Sequence, residues 1–247
     1  MRIVSLASGS SGNCILVDDG DTRLLVDCGI GPRTLKQRLA TAGAAPEGIA
    51  GVLVTHEHID HVRGLEAAVA KWHWPVLGSA GTLRGLPEAV RAHAKPVRER
   101  GHLGDLQFEL IPVAHDANEP TAYAITARAS GIRVGVAHDL GAPSDRLVEA
   151  FRGVDLLCIE ANHDVEMLRV GPYPAYLKSR IANGRGHLNN DQTAAFMDAV
   201  STPSLRAVLL LHLSEVNNTP EVACASTKRG IHRRARKASL AAAVRRA

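Results

Sequence analysis

Four apolar, strand-like runs in this chain end on a histidine or an aspartate. They are "GVLVTHEH" at His56 and His58, "FELIPVAH" at His115, "RVGVAHD" at Asp139 and "AVLLLH" at His212. Short runs of Val, Leu and Ile bounded by turn residues read as buried strands. A lone histidine after a strand is more often structural than functional. Three such groups that follow a cluster of histidines and an aspartate are not independent coincidences.

The order of elements suits a layered fold. "RIVSLAS", "NCILVDD" and "RLLVDCG" read as three short strands joined by Gly-, Ser- and Asp-rich turns. "PRTLKQRLATAG" has helical spacing and a glycine stop. "GVLVTHE" is a strand and "DHVRGLEAAVAKW" a helix; "PVLGS" is a strand and "AGTLRGL" a short helix. "LQFELIPVAH" and a hairpin turning at Ser130-Gly131 follow, then a helix from Ser144 to Phe151 and the strand "DLLCIEAN". Helices around Tyr173–Ile181 and Asp191–Val200 precede the strand "LRAVLLLHLS". Strands first, then strands mixed with helices, twice over, predict an α/β (α+β) fold. Its form is a four-layer αββα sandwich of two sheets with helices outside. One domain is expected over residues 1–222, with a basic Ala/Arg-rich tail over 223–247.

Composition narrows the function classes. Apolar residues make up 45% of the 247, enough for a real core, while aromatics are only 3%. Extensive stacking platforms for single-stranded bases are not expected from so few rings. Cys14, Cys28, Cys158 and Cys224 are far apart and form no CxxC, which fits buried thiols in a reducing cytoplasm. No run approaches the ~20 apolar residues of a membrane span, and the N-terminal apolar run is too short for a signal peptide. The net charge is +4, but residues 228–247 hold eight Lys or Arg and no acid, so residues 1–227 carry −4. The basic character therefore belongs to the tail and does not mark the body as a nucleic-acid binder.

The cluster "THEHIDH" places His56, His58, Asp60 and His61 within six residues, between a strand and a helix. Imidazole and carboxylate together suit Zn²⁺, Mn²⁺ or Fe²⁺. Residues two apart at a strand end can point to the same side, so one short loop offers two ligand pairs. A solvated polar loop is the other reading, and the buried strand leading straight into the cluster argues against it.

"THEHIDH" matches the HxHxDH signature of the metallo-β-lactamase superfamily, and "LLVDCG" resembles its first motif. "SLASGSSGNC", "HDANEP", "AHDLG", "EANHD", "GPYP", "GHLNN" and "LHLSEVNNTPE" resemble the YycJ/WalJ-like branch of that superfamily, over nearly all of residues 1–222. The resemblance implies two divalent metal ions. His56, His58 and His115 would hold one; Asp60, His61 and His212 would hold the other; Asp139 would bridge them, and Asp27 would brace the ligand loop. In related two-metal hydrolases a hydroxide between the ions attacks the substrate.

Superfamily nucleases similar to tRNA 3′-processing enzymes carry Glu-Ala-Thr after a strand, then His-Ser-Thr. This chain has Glu160-Ala161-Asn162-His163, then Gly186-His187-Leu188-Asn189, with Asn162 at the Thr position. By that resemblance His187 protonates the leaving oxygen and Glu160 orients it; a structural Glu160–His187 pair is the alternative. Asp60, His187 and Glu160 are thus the catalytic candidates. Ser10, Ser11, Asn13 and Asn189 are candidates for contact with a substrate phosphate, and a tight turn at Ser8–Asn13 is the plainer reading of the first three. His163 and Asp164 either cap the next helix or face substrate. His73, His93, His102 and His232 read as surface residues, and His138 as pointing away from the metals.

These readings lead to a dinuclear metal-dependent phosphodiesterase acting on nucleic acid, an exonuclease with DNA favoured. The alternative is a thioesterase or lactonase using the same metals. A redox diiron protein on this fold would carry Glu at His58; a catalytically dead metal-binding module is a further reading, against which all seven expected ligands are present. No membrane partner is expected. After Glu221 the chain departs from the family pattern, with no strand pattern in "CASTKRGIHRRARKASLAAAVRRA". A basic arm, a disordered or helical extension and a frameshift product are its three readings, the last two favoured.

Overall fold

The computed structural model describes residues 1–231, 235 and 237–243. His232, expected at the surface, and the tail cations Arg233, Arg234, Arg236, Arg245 and Arg246 lie outside the described residues. The strands belong to two sheets, one of six strands and one of seven. The expected mixed α/β fold with two sheets and helices is present. The chain divides into two compact units. Unit 1 comprises Met1–Leu110 and Ala117–Ile132; unit 2 comprises Ile111–Asp116 and Arg133–Ala243.

Unit 1 opens with β1 (Arg2–Ala7), β2 (Cys14–Asp18) and β3 (Arg23–Val26), an antiparallel trio. All five residues of β2 are buried. Helix α1 (Pro32–Thr41) begins on a proline, whose fixed φ suits the first helical position, and buries Leu35 and Leu39, one turn apart. β4 (Ile49–Leu53) then lies parallel to β3. The single helix expected after β4 is two: α2 (Ile59–Val62) and α3 (Leu65–Trp72). Arg63 caps the end of α2 and Gly64 the start of α3. Packing rather than propensity places the break here. The Gly64 N–H donates to the Cys28 carbonyl at 2.8 Å, and a Cβ on Gly64 would collide with the Ile30 carbonyl oxygen. No larger side chain fits where the two helices pass the 28–30 turn.

The sheet of unit 1 continues in parallel through β5 (Val76–Gly78) to β6 (Ala94–Pro96), in the order β1-β2-β3-β4-β5-β6. Helices α4 (Ala80–Arg84) and α5 (Glu88–Arg91) lie between the last two strands in sequence. β7 (Arg100–Leu103) pairs antiparallel with β8 (Leu106–Pro112), and β9 is Thr121–Ala127. β6 and β7 have no counterpart in the sequence reading, because "AKP" and "RGHL" lack an apolar alternation. The turn expected at Ser130-Gly131 is present, with Gly131 at φ +68°.

In unit 2, β10 (Arg133–Ala137), β11 (Leu156–Glu160), β12 (Ala207–Leu211) and β13 (Ser239–Ala242) pair in parallel, in that order. α6 (Asp145–Phe151) is capped by Ser144, and α7 (Val165–Val170) by Asp164. α8 (Ala175–Ala182) follows, and α9 (Asn190–Val200) starts with a capping box of Asn189 and Gln192. α10 spans Pro220–Ile231 and packs on α9. Among the described residues, no helix is long and apolar enough to cross a membrane.

The segment after Glu221 departs from its sequence reading, which finds no strand there. β13 lies alongside β12, from Ala207↔Ser239 to Leu210↔Ala242. "SLAA" has no β-branched residue, so its strand state comes from the partner it pairs with. Deleting residues 228–247 strips β13 from β12 and shortens α10. The expected result is a fall in Tm of about 5 °C or more; an unchanged Tm in a thermal melt would make the segment a passive extension.

Candidate metal and catalytic centre

In unit 1 the site is built on the ends of β3 and β4. Asp27 follows β3 in the left-handed region, at φ +62°, and is fully buried. Its carboxylate accepts from the Thr55 N–H and the Thr55 hydroxyl, both at 2.8 Å. It also lies 2.8 Å from His61 Nδ1. A carboxylate can only accept, so His61 Nδ1 carries the proton and Nε2 keeps its lone pair. Thr55 Oγ1 is 3.1 Å from His56 Nδ1. The His56 ring centroid lies 4.6 Å from that of His58 and 4.0 Å from that of His61. His61 Nε2 is 3.4 Å from an Asp60 oxygen. The structure thus brings His56, His58, Asp60 and His61 together, with Asp27 behind them.

Asn13 holds the same loop from the other side. Its N–H donates to the Asp60 carbonyl at 2.7 Å, and its Nδ2 lies 3.1 Å from Asp60 Oδ2 and 3.0 Å from His61 Nε2. Its Oδ1 accepts from the Gly9 N–H. The side chain expected to contact phosphate is buried and braces the ligand loop, while Ser10 and Ser11 are exposed. Gly29 makes this approach sterically feasible, since a Cβ there would collide with the Asp60 carbonyl oxygen.

In unit 2 the organising group is Glu160, the last residue of β11 and fully buried. Its Oε2 accepts from the Leu140 N–H at 2.8 Å and the Leu188 N–H at 3.0 Å. Its Oε1 lies 2.7 Å from His187 Nδ1 and 3.3 Å from His212 Nδ1. Burial disfavours the charged carboxylate, but the His187 and His212 imidazoles outweigh it and hold Glu160 below the usual range. Burial likewise opposes protonation of His187, and Glu160 outweighs it, raising the imidazole above its ordinary value. Asp139, Glu160, His187 and His212 each offer a ligand atom within 4.8 Å of the others. Asp139 and His212 both sit just past a strand end with positive φ, at +36° and +54°.

His115 is buried, and its Nδ1 faces the Gly186 carbonyl at 3.1 Å, so this nitrogen donates and Nε2 is the available ligand atom. Burial pushes its imidazole below the ordinary value. Three positioning groups are not legible in the sequence. They are Thr55, the Gly186 carbonyl and Asn162, whose Nδ2 donates to the His212 carbonyl at 2.9 Å and lies 3.2 Å from His212 Nδ1. Asn162 stands at the expected Thr position, and that departure is the only signal it leaves in the sequence. Asp164 caps α7, which is one of its two readings. His163 is buried, and burial lowers its imidazole to about 4. Asn189 caps α9 through its side-chain oxygen, 2.8 Å from the Gln192 N–H. His73 and His102 are exposed, His93 is half-buried, and His138 is buried.

Imidazoles and carboxylates, most of them buried and several oriented by a further hydrogen bond, form a donor set suited to divalent cations. Comparison with known proteins agrees. The fold is that of the metallo-β-lactamase fold protein YhfI from Bacillus subtilis, with a TM-score of 0.72 at 18% identity, covering 98% of this chain and 95% of that one. The beta-lactamase superfamily domain matches residues 22–213. Exodeoxyribonuclease YycJ of Bacillus anthracis is 34% identical over 224 residues, 88% of this chain and 84% of that protein. Exodeoxyribonuclease WalJ of Streptococcus pneumoniae is 34% identical over 226 residues, 88% and 83% of the two chains. The chain belongs to the metallo-β-lactamase superfamily, in its YycJ/WalJ-like branch.

Asp27→Ala removes the acceptor that fixes His61 and Thr55. Metal affinity, read by competition with a chromogenic chelator, is expected to fall about 10–100-fold. Wild-type affinity would show that Asp27 serves the fold alone.

Proposed function

We propose that this protein is a metal-dependent exonuclease that hydrolyses phosphodiester bonds of DNA. The observation that carries the reading is the Glu160–His187 pair, with His187 Nδ1 at 2.7 Å from a buried carboxylate oxygen, in a chain whose relatives over 88% of its length are named exodeoxyribonucleases. We assign His56, His58 and His115 to one divalent ion, Asp60, His61 and His212 to a second, and Asp139 to both, on the family resemblance. Zn²⁺ and Mn²⁺ suit these donors, as does Fe²⁺. Such ions, when bound, acidify water and neutralise charge on a phosphoryl group.

The chain's own part is orientation and proton transfer. Glu160 holds the Nδ1–H of His187, which leaves Nε2 as the proton donor. The leaving oxygen departs poorly as an alkoxide and gains from a proton delivered as the P–O bond breaks. Asp60 serves as a ligand, and its position is fixed by Asn13. A cytoplasmic location belongs to the same reading, with Cys14, Cys28, Cys158 and Cys224 all free thiols.

His187→Ala is expected to slow cleavage of end-labelled DNA by about 10²–10⁴-fold. A p-nitrophenyl phosphodiester needs no proton on its leaving group and should lose far less. Equal losses on both substrates would make the pair structural. Turnover of thioesters or lactones with no release of nucleotides from DNA would favour the small-molecule alternative.

A further inference from the structure

The segment between Met167 and Asn190 contains Arg169, Lys178, Arg180 and Arg185 and no acidic residue. It also holds Tyr173 and Tyr176, two of the three tyrosines in the chain. Its central helix, α8, buries none of its residues. Tyr176 is 76% exposed and Val170 69%. Leu177 and Ile181 are only half-buried, and an exposed aromatic ring on such a helix has no packing function to explain it.

This arm is fastened to His115 and His187. Arg180 pairs with Asp116 at 2.7 Å, next to His115, and Arg185 donates to the His115 carbonyl at 3.2 Å. The His187 N–H donates to the Ile181 carbonyl at 2.9 Å. The turn that links α8 to His187 is closely packed, since a Cβ on Gly186 would collide with the carbonyl oxygens of Arg180 and Ile181. Arg169 is paired with Glu166 at 2.8 Å. Lys178 Nζ donates to the Arg169 carbonyl at 2.8 Å, a bond that fixes its position without neutralising its charge.

We infer that α8 and the turn before His187 form a docking surface for the DNA strand, with Tyr176 stacking on a base and Lys178 meeting a backbone phosphate. The inference rests on the nuclease reading and specifies where its substrate is held. Cationic groups interleaved with an exposed aromatic match the chemistry of a single strand, whose phosphates and base faces are both open. Scarce aromatics overall do not prevent this, because one ring at the right place provides a stacking contact.

The test compares wild type, Tyr176→Ala, Tyr176→Phe and Lys178→Ala on single-stranded DNA and on bis-p-nitrophenyl phosphate. Tyr176→Ala is expected to raise KM for DNA by about 5–100-fold, with Tyr176→Phe close to wild type. Lys178→Ala should flatten the salt dependence of DNA binding by about 0.7 in log–log slope. All variants should hydrolyse bis-p-nitrophenyl phosphate, which carries neither a base nor a second backbone phosphate, at the wild-type rate. Unchanged KM in Tyr176→Ala, in a wild type that degrades DNA, overturns the docking surface alone. A wild type that neither binds nor degrades DNA overturns the nuclease reading and this inference with it.

Discussion

In each unit a buried carboxylate that cannot escape its hydrogen bonds organises a cluster of polar side chains. In unit 1 it is Asp27, which takes two bonds from Thr55 and fixes the tautomer of His61. A charge buried this deeply is tolerated only with such partners, so Asp27, Thr55 and His61 are mutually dependent. In unit 2 it is Glu160, which accepts two backbone N–H groups and meets two imidazoles. Each carboxylate stands at the end of a strand with a parallel neighbour, where the ladder stops and side chains can converge.

The backbone contributes as much as the side chains. Asp27, Asp139 and His212 all have positive φ just beyond a strand. That conformation costs free energy for a residue with a Cβ and persists only where the surroundings impose it. Here it turns the chain sharply, so the polar group stays at the strand end. Gly29 and Gly64 have the complementary role, allowing the 27–31 turn to lie against the ligand loop where any side chain would clash.

Much of this is legible in the sequence, because a buried strand ending in His or Asp leaves a clear one-dimensional pattern. His56, His58, His61, His115, Asp139 and His212 are visible in this way, and Glu160 and His187 through their motifs. Ser10, Ser11 and Asn13 read as phosphate contacts because a loop of small residues can turn backbone N–H groups towards an anion; the bracing of Asp60 by Asn13 and the capping of α9 by Asn189 leave no such pattern in the sequence. Such roles depend on tertiary neighbours. β13 escapes the sequence reading for a related reason, since its strand state comes from pairing with β12. The exposed arm at α8 is hidden by averaging, because the −4 charge of residues 1–227 masks a local run of cations.

The central claim is that these donors hold metal for hydrolysis, and metal content measured alongside activity tests it most directly. Native protein should contain two divalent ions per chain. His58→Ala should lose metal and hydrolytic activity while keeping the wild-type circular dichroism spectrum. Full activity in His58→Ala, or an active native protein free of metal, would contradict the account.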